Sequence, residues 1–207
     1  MWVYGIPGAG KTILMASAIQ EAVKQTSKSQ ALAYFYCDYK DQDTHDNHNI
    51  LGSLAKQIAV QNEECFKLIG DFYRTWTSHQ PPSDDVGKET AYFSLIIDLS
   101  RIFSSVMIIV DGLDEVSRDR SGTAHLLQSL NGRSNNIKTL FASRREVDLE
   151  HPLRDYKQLS IAAMSSDLRL YVASEMETRI SNKRLRIRNP DLKEHIMRTL
   201  VEKADGM

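Results

Sequence analysis

Eight consecutive residues near the start of the chain, Gly5-Ile6-Pro7-Gly8-Ala9-Gly10-Lys11-Thr12, fit the spacing G-x-x-x-x-G-K-[ST]. The spacing has a mechanical reason. Gly5, Gly8, Ala9 and Gly10 are small enough for the backbone to curl until successive N–H groups point inward at phosphate oxygens. A helix opening at Lys11 adds the positive end of its dipole. The Lys11 ammonium then reaches the β- and γ-phosphates of a nucleotide, and the Thr12 hydroxyl is placed to ligate Mg²⁺. Average composition yields this P-loop pattern by chance in roughly one chain in a hundred of this length. Here a strand-like run precedes it and a helical run follows, as the chemistry requires.

Two further runs carry chemistry. Val106-Met107-Ile108-Ile109-Val110 reads as a buried strand and delivers Asp111 at its C-terminal end, where open α/β sheets bind ligands. Asp111 is placed to hold Mg²⁺, directly or through water, and Asp114 or Glu115 to orient or deprotonate an attacking water. In the third run, Thr139-Leu140-Phe141-Ala142-Ser143-Arg144-Arg145, a strand ends in polar and cationic residues. Arg144 there is suited to sensing a γ-phosphate and stabilising transition-state charge.

These residues need a frame. Strand-length apolar runs are predicted at residues 2–4, 31–36, 106–110, 137–142 and 156–161. Between them lie helical patterns: 11–24, with Ile13, Leu14, Ala18 and Val23 on one face; Leu51, Leu54, Ala55 and Ile58; Phe66, Ile69, Tyr73 and Trp76; 89–103; and 124–130. Strands alternating with helices indicate an α/β fold with a parallel, doubly wound sheet flanked by helices. The tail differs. Leu168, Val172, Met176 and Ile180 repeat every four residues, and Asn189-Pro190 supplies an N-cap and an N1 proline for a second helix carrying Leu192, Ile196 and Leu200. Residues 1–163 are therefore expected to form the nucleotide-binding domain, and 164–207 the start of a helical subdomain.

Composition narrows the class. The 207 residues are 42% hydrophobic and 26% charged, with a net charge of −1, which suits a globular protein with no global basic field for nucleic acid or acidic membranes. Two cysteines, Cys37 and Cys65, are too few for a disulfide framework and fit a reducing, cytoplasmic compartment. Residues 106–110 are far too short a run to span a bilayer.

The P-loop, the Asp111-Gly112-Leu113-Asp114-Glu115 run and the Ser143-Arg144 strand end, in that order, resemble the NACHT-type P-loop domains of the STAND class. The runs Tyr34-Phe35-Tyr36-Cys37-Asp38-Tyr39 and Ile50-Leu51-Gly52-Ser53-Leu54-Ala55-Lys56-Gln57 are similar to the nephrocystin-3-like N-terminal domain common in fungal NACHT–ankyrin and NACHT–WD proteins. The resemblance covers nearly the whole chain. It implies an ASCE-type sheet with a further strand between the P-loop strand and the Asp111 strand. It implies ATP or ADP with Mg²⁺ as ligands: Lys11 and Thr12 on phosphate and metal, Asp111 on metal, Arg144 as sensor. In related ATPases the catalytic Glu directly follows the metal-binding Asp; here that place is Gly112, so Asp114 is the favoured base and Glu115 the second choice. Turnover is expected to be slow. Members continue past residue 207 into a winged-helix region and repeats and usually carry residues before the P-loop strand, so the sequence is expected to be a fragment of a larger switch protein that self-associates or recruits effectors.

Competing readings remain at this stage: a processive AAA+-like ATPase, a nucleotide-binding scaffold without turnover, or a small-molecule kinase. A GTPase is disfavoured, because Asn182-Lys183-Arg184-Leu185 lacks the Asp of the guanine signature. His45 and His48 among Asp38, Asp41, Asp43 and Asp46 match no strong metal-ligand spacing and read as a solvated loop. Lys183, Arg184, Arg186 and Arg188 read as a solvated segment, Tyr73 and Trp76 as packing residues, and Cys37 as a structural thiol.

Overall fold

The computed structural model describes residues 1–78, 84–116, 118–161, 165–187 and 189–203. Five strands form one parallel sheet: β1 (Trp2–Tyr4), β2 (Gln30–Tyr36), β3 (Ser105–Asp111), β4 (Ile137–Ser143) and β5 (Gln158–Ser160). Their spatial order is β2-β3-β4-β1-β5, so β4 is the strand inserted between β1 and β3. The helices are α1 (Lys11–Gln25), α2 (Asn47–Ala59), α3 (Glu63–Ser78), α4 (Asp85–Ser100), α5 (Arg120–Arg133), α6 (Val147–Leu153), α7 (Ser165–Ser181) and α8 (Pro190–Lys203). The chain divides into two compact units, Met1–Tyr4 with Gly10–Ser160 and Gly5–Ala9 with Ile161–Met207.

In the first unit the strand period of two decides what goes where. One parity places Ala31, Ala33, Val106, Ile108, Val110, Ile137 and Phe141 in a single core with Leu51, Leu54 and Ile58 of α2, Ile96 and Leu99 of α4, and Leu127 and Leu130 of α5. The other parity carries Met107, Ile109 and Asp111 of β3. Met15 and Ile19 of α1 are buried outside that core cluster, and α1 packs on β2, β3 and β4. The stripe expected from Ile13, Leu14, Ala18 and Val23 is not the one buried: Ile13 is 73% exposed and Met15 is fully buried. This helix is apolar on most of its circumference, so periodicity admits more than one stripe.

Other differences have local causes. In α3 the buried side runs through Cys65 and Ile69, while Phe66 and Tyr73 stay exposed; Trp76 packs on Phe72 and Tyr92 at ring-centroid distances of 4.8 and 5.3 Å. The helix expected at 89–103 starts four residues earlier, because Asp84 caps it by accepting from the Gly87 N–H at 3.2 Å. The seven-residue α6, with Pro152 inside it, was not anticipated.

At the outer edge of the sheet, β2 meets two glutamines, Gln57 in α2 and Gln61 in the turn just after it. Gln61 accepts from the Leu32 N–H at 3.1 Å and donates to the Leu32 carbonyl at 2.7 Å. Gln57 does the same for Tyr34, at 3.0 and 2.8 Å.

In the second unit, α7 and α8 pack on each other, and Met176 is buried. Asn189 caps α8 as expected, accepting from the Asp191 N–H at 2.9 Å. Leu192 and Leu200 remain about half exposed, at 49% and 50%. Lys183 adopts a positive φ of 58°, and the Arg184 and Leu185 N–H groups return to the Arg179 carbonyl, closing α7. Arg188 lies outside the described residues.

Candidate functional site

The loop from β1 to α1 begins with Gly5, whose added Cβ would lie 2.3 Å from the Ile161 carbonyl oxygen. Only glycine fits that approach. Gly8 has φ 79°, and Ala9 donates to the Ile6 carbonyl at 3.3 Å. These residues, Gly5 to Ala9, belong to the second unit. Gly10, in the first unit, precedes α1 with φ 87°, a left-handed conformation that favours glycine. Gly10 has no side chain with which to cap this helix end, and no acidic residue stands in its first turn. The start of a helix with this character favours an anion.

Lys11 and Thr12 occupy that first turn. The parity of β3 puts Asp111 on the α1 side of the sheet, its carboxylate bonded by the Thr12 hydroxyl and close to the Gly112 N–H, which donates to the Ala142 carbonyl at 2.9 Å. Asp111 is 5% exposed, and burial pushes its carboxyl above the ordinary range, against the pull of Thr12, Gly112 and Lys11. Burial likewise pushes the Lys11 ammonium down, opposed most strongly by Asp114.

Gly112 turns the chain with φ 77°, and a Cβ there would lie 2.7 Å from the Cys37 carbonyl oxygen. Cys37 in turn donates its N–H to the Asp111 carbonyl at 2.9 Å. This crossing explains why no Glu stands directly after Asp111: the position has neither the space nor the backbone conformation for a side chain.

The turn carries Asp114 and Glu115 onward. Asp114 Oδ1 accepts from the Arg144 N–H at 2.8 Å, and Asp114 Oδ2 lies 3.1 Å from Arg144 Nε. Glu115 Oε2 accepts from the Tyr39 N–H at 3.1 Å. Arg144 follows β4, whose end is held by a relay: Trp2 Nε1 donates to Ser143 Oγ at 2.9 Å, which donates to the Arg144 carbonyl at 2.7 Å.

Lys11, Thr12, Asp111, Asp114, Glu115 and Arg144 therefore meet at one end of the sheet. Tyr39 and Cys37 take part through backbone atoms, which have no signature in sequence. His45 is buried instead of solvated, its Nε2 3.0 Å from the Asp38 carbonyl oxygen. Among the described residues no cluster of three or more His, Cys, Asp or Glu suits a metal. The Cys37 thiol is buried and pushed up to about 12.

Residues 1–144 match the family described as nephrocystin 3, N-terminal. The chain belongs to that family. Its nephrocystin-3-like, NACHT-like domain is 27% identical over 193 residues to the vegetative incompatibility protein HET-E-1 of Podospora anserina, covering 87% of this chain and 13% of that protein. Among solved structures the nephrocystin-3-like domain is similar to Cdc6p of Pyrobaculum aerophilum, with TM-score 0.53, 11% identity, and coverage of 86% of this chain and 42% of that one. The Orc1 protein of Aeropyrum pernix in complex with DNA gives TM-score 0.52, 11% identity and coverage of 86% and 43%. A Walker-type ATPase of Pyrococcus abyssi gives 0.50, 12% identity and coverage of 95% and 57%. These likenesses show the fold, a parallel α/β sheet flanked by helices as in P-loop ATPases. No described helix is long and apolar enough to cross a membrane.

Proposed function

We propose that this domain binds ATP and ADP with Mg²⁺ and serves as the nucleotide-dependent core of a STAND-type signalling switch. Slow hydrolysis would control the conformation and self-association of the whole protein. The observation that carries the reading is the meeting of Thr12 and Asp111: a hydroxyl and a buried carboxylate, joined by a hydrogen bond, beside Lys11. A carboxylate whose burial is only partly offset by a hydroxyl and an N–H fits a divalent cation, which would relieve the remaining cost. Thr12 and Asp111 are the residues that would hold it. Mg²⁺ held by these two residues would supply positive charge to offset that on the phosphate oxygens.

The chain's own residues divide the remaining work. Lys11 takes the phosphate oxygens, with the start of α1. Arg144 offers its guanidinium to the terminal phosphate. Glu115 is the better placed of the two loop carboxylates to orient water. Tyr39 fixes one of its oxygens, and among the described residues nothing engages the other. Both oxygens of Asp114 face Arg144. HET-E-1 is named for vegetative incompatibility, which supports a switch over steady metabolic turnover. We read the helices from Ser165 onward as the opening of a lid. DNA binding stays a property of the Orc1 protein; with a net charge of −1 we propose no nucleic-acid or membrane partner for this chain.

The test is titration calorimetry with ATP, ADP and GTP in Mg²⁺, on this chain and on Lys11→Ala. Adenine-selective binding lost in the variant is the expected result. A folded chain that binds no nucleotide sinks the proposal. In the full-length protein, an oligomeric state identical with ADP and ATP sinks the switch.

A further inference from the structure

Asp114 is the acidic group for which the proposed hydrolysis has no use, yet it is the most firmly held. Its side chain is 5% exposed, gripped by the Arg144 N–H at 2.8 Å and approached by Nε at 3.1 Å. Its own loop is pinned as well. The Glu115 N–H returns to the Gly112 carbonyl at 2.8 Å, and Arg120 Nη1 donates to the Asp114 carbonyl at 3.4 Å. Arg144 is different: its side chain is 49% exposed and meets Asp114 through Nε. Asp114 is also the acidic neighbour that acts most strongly on Lys11. A fixed carboxylate thus serves two cations, Lys11 and Arg144, that both belong to the phosphate site.

We propose that Asp114 is a built-in counter-ion, occupying the electrostatic place of a phosphate between Lys11 and Arg144 and competing with polyphosphate for both. The inference rests on the nucleotide reading and deepens it. Two cations brought together repel, and a fixed carboxylate offsets that cost while no anion is bound. Once polyphosphate arrives, the same carboxylate is a like charge beside it. Affinity is thereby lowered for every phosphate ligand, which keeps bound nucleotide exchangeable. Asp114 acts on the ligand through Arg144 and Lys11 and is a positioning residue, not a base.

The experiment compares wild type, Asp114→Asn, Arg144→Gln and the double variant by calorimetry with tripolyphosphate, MgADP and MgATP. Asn keeps the acceptor for the Arg144 N–H, removes the charge and puts an NH₂ in place of the oxygen facing Arg144 Nε. Asp114→Asn should bind all three ligands at least about fivefold more tightly. In the Arg144→Gln background the gain should shrink to less than about twofold. Unchanged or weaker affinity, with only turnover lost, means that Asp114 is a base and overturns the proposal. In wild-type protein labelled at arginine, saturating tripolyphosphate should shift the Arg144 Nε–H resonance; an unmoved resonance also overturns it, whether or not any variant folds. If ATP binds no better than tripolyphosphate, the ATP/ADP reading fails while the counter-ion is judged on tripolyphosphate alone. Tripolyphosphate bound by neither wild type nor Asp114→Asn ends both.

Discussion

Replacing Gly112 by alanine tests the geometry of the site with a single methyl group. Two costs add. The position has φ 77°, and a residue with a Cβ pays about 1–2 kcal/mol to stay in the left-handed region. The new Cβ would also lie 2.7 Å from the Cys37 carbonyl oxygen. An ordinary carbon–oxygen contact is about 3.3 Å or more, so roughly 0.6 Å must be relieved. The obstructing atom is backbone, tied by the Cys37 N–H to the Asp111 carbonyl, so it does not move cheaply. Forced overpacking of this kind costs about 1–3 kcal/mol. The sum, about 2–5 kcal/mol, corresponds to a fall in Tm of about 4–20 °C for a domain of this size. Gly132 in α5 is the matched control, since a Cβ there meets nothing within 4 Å. Gly132→Ala should stabilise by about 0.5–1 kcal/mol, because it removes unfolded-state freedom and favours helix. Urea melts read on the fluorescence of buried Trp2 would report both variants. If Gly112→Ala costs less than about 1 kcal/mol, the crossing of Cys37 over Gly112 does not set the turn, and the account of why no Glu follows Asp111 fails.

Burial holds the Asp111 carboxyl above its ordinary range, so the native chain binds that proton more tightly than the unfolded chain does. Stability from this group is therefore present below the unfolded pKa and lost as pH rises through the folded one. Asp111→Asn should melt above wild type at neutral pH, with the advantage shrinking toward about pH 4, and should lose Mg²⁺-dependent nucleotide binding. Equal melting temperatures at neutral pH would remove the burial argument. Burial also pushes the Cys37 and Cys65 thiols up to about 12 and about 11. Neither should react with a disulfide reagent at about pH 8 until the protein unfolds; fast labelling of either in native protein would contradict the packing around it.

What could be read in advance was what side-chain type and spacing encode. The apolar run ending in Asp111 specified a central strand, and the glycines before Lys11 specified a phosphate loop. Asn189-Pro190 marked a helix start correctly. The rotation of α1 was not legible, because Ile13 and Leu14 are as apolar as Met15 and Ile19. Helix α6 was missed because seven residues with an internal Pro152 carry too short a pattern. The pairing of Asp114 with Arg144 spans 30 positions of sequence and arises only because β3 and β4 are neighbours. The link from Tyr39 to Glu115 uses a main-chain N–H, which every residue but proline has.

Gln57 and Gln61 have a consequence for how such a domain tolerates crowding. A bare outermost strand is a template: its outward amides accept any passing extended chain and seed fibrils. Here the outward amides of Leu32 and Tyr34 are already spoken for by Gln61 and Gln57. Copies concentrated side by side cannot lengthen the sheet across this margin by zipping strands together. Any orderly assembly at this margin must use side-chain surfaces, whose contacts can be made and broken without unravelling the fold.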